Sequence, residues 1–172
     1  MSNDLWSTPP EVFTALAKEF NFGVDVCAEP ETAKCLTFWT VEDDALVQDW
    51  SSFGRVDFDN NWLWCNPPYS KIGPWVEKAI EAQKAGRGTV MLVMCDPSVK
   101  WFSLAQQHAS EIRFITNGRL AFHRNGVRQA GNNKGSVIFV FDPHRIGAGH
   151  VSFIERDTLI AKGQINNKEV AA

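Results

Sequence analysis

Two rhythms of apolar residues alternate along this chain. Val12, Phe13, Leu16, Ala17 and Phe20 recur at helical spacing. Thr8-Pro9-Pro10-Glu11 before them predicts a helix start, with Thr8 as N-cap, Pro9 as first helical residue and Glu11 closing a capping box. Phe22 to Cys27 then reads as a buried strand, and Leu36–Trp39 as a short one. An acidic turn follows, with a helical turn expected around Ala45–Trp50. Trp62–Cys65 is a further apolar strand. Ile72 to about Ala85 is helical, with Trp75, Val76, Ala79 and Ile80 on one face, and Gly86-Arg87-Gly88 ends it. Thr89–Cys95 is apolar throughout, as a central strand covered on both faces requires. Asp96-Pro97-Ser98 opens the next helix. Glu111–Thr116, Leu120–His123 and Ser136–Phe141 read as strands, and residues after about 157 as a frayed tail.

Strands alternating with helices predict an α/β domain whose mostly parallel sheet carries helices on both faces. Such sheets bind ligands beyond the carboxyl ends of their strands. Asp25, Asn66 and Asp96 all fall at or near such ends, which is the reason to expect them in one cleft. At 172 residues a single domain is expected. No apolar run approaches the roughly 18 residues of a membrane span. The N-terminus lacks the basic and apolar regions of a signal peptide, so the cytoplasm is the default. The four scattered cysteines read as free thiols, and the four histidines have no metal-ligand spacing, so no metal is expected.

The net charge of −3 argues weakly against a nucleic-acid partner, but its distribution argues for one. Residues 1–60 hold twelve acids and three bases. Between Glu111 and Asp142 there is no acid, while Arg113, Arg119, His123, Arg124, Arg128 and Lys134 cluster there. This is a candidate phosphate-facing patch.

The sharpest chemical signal is Asn66-Pro67-Pro68-Tyr69, directly after Trp62-Leu63-Trp64-Cys65. The Asn66 side-chain oxygen can accept a hydrogen bond from a flat molecule's amino group. A backbone carbonyl held by the proline pair can accept a second, and the Tyr69 ring can stack on the plane. Two acceptors localise the lone pair of a conjugated amine and stabilise the positive charge that develops as it attacks. Asp25, with small Ala28 after it, can pair with the α-amino group of S-adenosylmethionine. Glu42-Asp43-Asp44 offers acceptors for the adenosine end of that cofactor, and Trp6 a wall for its pocket.

These pieces occur together in a known family. The chain resembles the phage-type DNA N6-adenine methyltransferases, a Dam-like group. The likeness runs through Trp6-Ser7-Thr8-Pro9-Pro10, Asp25-Val26-Cys27-Ala28, Asp44-Ala45-Leu46 with Trp50, and Trp64 to Ser70 with Trp75. It continues through Asp96 with Trp101-Phe102, and Gly118-Arg119-Leu120-Ala121-Phe122, to near Phe141. The resemblance implies a Rossmann-like methyltransferase fold, S-adenosylmethionine as donor, and adenine N6 in double-stranded DNA as acceptor, with the base flipped out. It implies a catalytic loop at Asn66, Pro67, Pro68 and Tyr69. It implies a cofactor site at Asp25 to Ala28, Thr8-Pro9, Trp6, Asp44 and Asn66, and a bacterial host cytoplasm as location. Two departures stand out. The usual Gly-rich cofactor loop is missing, and only 37 residues separate Ala28 from Asn66. With no separate target-recognition domain in view, DNA reading falls to the basic 113–134 stretch and to loops near Asn66. The same tetrapeptide chemistry also serves methylation of RNA adenine or a protein glutamine amide. A non-catalytic DNA-binding protein is the remaining alternative.

Overall fold

A computed structural model describes residues 6–52, 62–124, 126–129, 133–147 and 149–164. In chain order the elements are α1 (Pro10–Phe20), β1 (Phe22–Asp25), β2 (Thr37–Phe38), β3 (Trp62–Cys65), α2 (Gly73–Lys84), β4 (Thr89–Met94), α3 (Lys100–His108), β5 (Glu111–Thr116), β6 (His123–Arg124), β7 (Val127–Arg128), β8 (Ser136–Phe141), β9 (His150–Glu155) and α4 (Arg156–Gln164).

Seven strands form one sheet in the order β2-β1-β3-β4-β8-β5-β9. Only β8 runs against the others, pairing antiparallel with β4 and β5. The sheet is therefore mostly parallel, as the alternation of elements predicts. Its centre is β4, where side-chain direction alternates. Val90 and Leu92 face the cluster of Val12, Leu16, Ile138 and Leu159, whereas Met91 and Val93 face Leu63, Val76, Ala105 and Phe139. Both faces of β4 are thus buried, α1 and α4 on one side and α2 and α3 on the other. This is why its sequence is apolar without interruption.

The structure corrects four details. α1 starts one residue late, at Pro10, with Pro9 as N-cap and no side-chain cap. The Pro9 carbonyl accepts from the Val12 and Phe13 amides at 3.1 and 3.2 Å, which leaves the Thr8 hydroxyl out of the helix start. Asp96-Pro97-Ser98 precedes α3 as a turn; the helix begins at Lys100. Residues 45–50 form turns rather than a helical turn; the Trp50 indole N–H donates to the Ala45 carbonyl at 2.8 Å. Leu120–His123 is not a strand, because Leu120 and Phe122 serve as buried core beneath the N-terminal segment, and pairing starts only at His123.

The chain beyond 157 also departs from the expected frayed tail, through 164. α4 lies along α1, and its Leu159 is fully buried. Residues 165–172 lie outside the described ones. Gly163 makes the docking possible: a Cβ there would stand 1.8 Å from the Glu11 carbonyl oxygen. Gly163→Ala forces two backbones apart. It is expected to destabilise the fold by about 1–3 kcal/mol, despite the better helix propensity of alanine. A urea unfolding curve with an unchanged midpoint would refute the close approach.

Candidate active site

β1, β3 and β4 are parallel neighbours, so their carboxyl ends share one edge of the sheet. Asp25 is the last residue of β1 and pairs in register with Trp64 of β3. Asn66 follows directly after β3 ends. A cavity of about 730 Å³ opens at this edge, lined by Asp25, Ala28, Asp44, Asn66 and Pro68, and by Trp6 and Thr8 of the N-terminal segment. That volume lies within the range of small-molecule and cofactor sites.

Asn66 is oriented by the chain's first described residue. Its Nδ2 donates to the Trp6 carbonyl at 3.1 Å. A carbonyl oxygen can only accept, so the amide is fixed with Nδ2 toward Trp6 and Oδ1 away from it. Oδ1 is buried and has no hydrogen-bond partner among the described residues. The Thr8 hydroxyl is a second orphan: it too is buried without a partner, on a residue that lines the same cavity. Buried polar atoms are nearly always satisfied, so two orphans on residues lining one cavity make it the candidate ligand site.

Asp25 is 2% exposed. Its carboxylate accepts from the backbone amides of Cys27 at 3.2 Å and Lys34 at 3.0 Å, and so folds residues 26–34 around itself. Burial pushes the Asp25 carboxyl up to about 7, against the lowering effect of those two amide bonds. Burial also pushes the Lys34 ammonium below its usual range, while Asp25 and Glu11 pull it back. Lys34 lines the cavity, so a cation and a carboxylate face it together. Among the acidic turn residues, Asp43 is used locally, accepting from the Thr40 amide at 2.7 Å and the Thr40 hydroxyl at 2.8 Å. Asp44, at φ 48°, lines the cavity instead.

Not every expected site residue reaches the cavity. Pro9 is buried at the start of α1, and Pro67 is buried inside the loop; neither lines it. The Tyr69 ring packs edge-on against Phe122 at 6.0 Å. Its hydroxyl is buried without a partner, and burial pushes the phenol up from its ordinary value. Asp96 does not join Asp25 and Asn66. It accepts from Ser98 and pairs with Lys134, and these bonds hold its carboxyl down at about 2. Lys34, Trp39, Trp64 and Trp75 line the cavity although the sequence does not point to them as site residues. Apolar spacing places the three tryptophans in the core, but periodicity cannot say that a core side chain also faces a hollow.

The basic stretch divides. Arg113 lies early on β5, away from the carboxyl edge, and is held by Glu19 at 3.0 Å and Glu111 at 2.9 Å. Arg119 is exposed just past the carboxyl end of β5, on the same edge as Asn66. His123, Arg124 and Arg128 lie on the two-stranded β6–β7 hairpin, and the intervening Gly126 lines the cavity. Ser7 and His123 exchange backbone hydrogen bonds at 2.8 and 2.9 Å. Beside them the Trp6 ring stacks on Phe122 at 6.3 Å. One strap therefore ties the Asn66 loop, through Trp6 and Ser7, to the basic hairpin.

Fold and site together define an α/β enzyme domain with a cavity at the carboxyl edge of its sheet, lined by an asparagine whose amide is held in one orientation. Among the described residues, no group of His, Cys, Asp or Glu is arranged to hold a metal ion, and no helix is long and apolar enough to cross a membrane. The chain belongs to the DNA N-6-adenine-methyltransferase (Dam) family, whose sequence profile matches residues 1–166. It is 36% identical over 168 residues to the DNA N-6-adenine-methyltransferase of Haemophilus phage HP1, covering 94% of this chain and 92% of that one. It is also 36% identical over 154 residues to the DNA N-6-adenine-methyltransferase of Escherichia phage T1, covering 80% of this chain and 62% of that longer one.

Proposed function

We infer that this protein methylates the N6 amine of adenine in DNA, with S-adenosylmethionine as donor and double-stranded DNA as substrate. The single observation that carries the reading is the Asn66 amide, pinned by the Trp6 carbonyl with a buried, partnerless Oδ1. We read the whole chain as one Rossmann-like methyltransferase domain acting in a bacterial host cytoplasm.

When bound, S-adenosylmethionine supplies an electrophilic methyl group. The residues present fit it. Asp25 and Lys34 offer opposite charges to its amino-acid end, and Thr8 offers a hydroxyl to the same ligand. Asp44 offers acceptors to the adenosine end, between apolar walls that include Trp39 and Leu46. Asn66 Oδ1 accepts from the target amine, and a carbonyl of the rigid Pro67-Pro68 pair accepts its other hydrogen. Fixed acceptors need no reorganisation as positive charge grows on nitrogen, which is where preorganised dipoles act. No strong base is required, because the methylated amine loses its proton to water. Tyr69, packed on Phe122, supports the loop's aromatic side. A base within a duplex reaches such a pocket only by leaving the stack.

The basic hairpin and Arg119 favour a polyanion over a protein amide as substrate. Arg124→Ala and Arg128→Ala are each expected to weaken DNA binding and to reduce its salt slope by about 0.9 for each phosphate no longer neutralised. Arg113→Ala, already neutralised by two carboxylates, is expected to leave the slope unchanged. Salt titrations that reverse this order would move the DNA surface elsewhere. The function itself is tested with radiolabelled S-adenosylmethionine and unmethylated duplex DNA, digested to nucleosides. Label in N6-methyldeoxyadenosine is the expected result. Label confined to RNA or to protein would overturn the substrate.

A further inference from the structure

Val127 is 64% exposed on the β6–β7 hairpin. A lone exposed valine is ordinary; the placement of this one is not. It pairs across the hairpin with Arg124 and is followed by Arg128, so it lies beside one cation across the hairpin and another along the strand. It directly follows Gly126, which lines the cavity, adopts φ 75° and has nothing within 4 Å of where a Cβ would lie. The hairpin is also fixed relative to the Asn66 loop by the Ser7–His123 backbone bonds and by Phe122, packed between Trp6 and Tyr69. A stiff β-branched side chain is therefore held next to a residue that lines the cavity, on a hairpin tied to the Asn66 loop.

We propose that Val127 is the wedge that enters the base stack beside the target adenine, while Arg124 and Arg128 hold the flanking phosphates. The proposal rests on the reading of the site as a DNA adenine methyltransferase. Removing a base from a duplex costs a few kcal/mol of stacking and pairing, and leaves an apolar hole. A valine filling that hole recovers apolar packing. A polar tip would lose its water there without finding a partner.

The test compares wild type with Val127→Ala on two DNAs carrying the site that the enzyme methylates. One is a perfect duplex, and the other has an abasic position opposite the target adenine. Since the wedge only offsets the energy of opening the pair, kcat/KM should fall on the order of tenfold on the perfect duplex and less than about twofold on the abasic one. With 2-aminopurine at the target position, the fluorescence rise on binding should shrink in the variant. Equal losses on both DNAs, or no loss on the perfect duplex, would overturn the wedge. Wild-type protein that methylates neither DNA would overturn the underlying reading instead. An exposed side chain is not needed for folding, and an unchanged melting curve checks this.

Discussion

Asn66→Ala is expected to lower methyl transfer by about a hundredfold to a thousandfold, the usual effect of removing one preorganised dipole at a reacting centre. Cofactor affinity is expected to change little, because Oδ1 faces an amine whose charge develops only during attack. The measurement is single-turnover transfer to DNA beside an isotherm for S-adenosylhomocysteine. Turnover equal to wild type would remove Asn66 from the reaction. Equal losses of affinity and rate would make it a cofactor ligand. Asn66→Asp separates shape from charge: it keeps acceptors but loses the Nδ2–H bond to Trp6, so it should tilt the loop and lose activity as well.

The second large effect belongs to Asp25. Asp25→Ala is expected to weaken cofactor binding by about 2–5 kcal/mol, as truncating one member of a buried charged pair does. The backbone amides of Cys27 and Lys34 would be orphaned too. An unchanged isotherm would reduce Asp25 to a loop anchor. Asp25 also gives the ligand-free protein a pH signature. Its carboxyl lies at about 7 when folded, against an ordinary 3.8. Between those values the native state holds one proton more than the unfolded chain. Stability from this group is therefore complete below about pH 4. It is lost at up to about 1.4 kcal/mol per pH unit between about pH 4 and 7, and the loss levels off above 7. Denaturant midpoints between pH 5 and 8 should fall accordingly, and Asp25→Asn should flatten the trend. A flat wild-type profile would contradict the buried, proton-holding carboxyl.

The parts of this fold legible in the sequence share one property: burial on a periodic face. α1, α2 and β4 show it, as does β3 running into the Asn66 loop, and each lies within a residue or two of its expected bounds. β9 and α4 escape such a reading because their burial is sparse. β9 is a half-exposed edge strand with Val151 and Phe153 facing outward, and α4 buries only Leu159 and Gly163. Neither presents a stripe to find. The site is legible where chemistry is tied to a strand end, as at Asp25 and Asn66. It is not legible where a long-range contact decides. Thr8 and Glu11 spell a capping box, yet the N-terminal segment bends to meet His123 and turns the Thr8 hydroxyl away from the helix. Arg113 looks like one more cation of the patch until Glu19, distant in sequence, appears beside it. Tyr69 reads as a stacking platform, but it does not line the cavity and its ring packs at right angles on Phe122.

The clasp of α4 on α1 has a consequence for synthesis. The segment that orients Asn66 and carries Thr8 is made before the rest of the described residues. The helix it leads into rests on Leu159 and Gly163, which are among the last of the described residues to be made. A nascent chain arrested after β8 has its sheet centre and its tetrapeptide, but α1 lacks the helix it docks on. The docking of α1 therefore waits for the last of the described elements to be made.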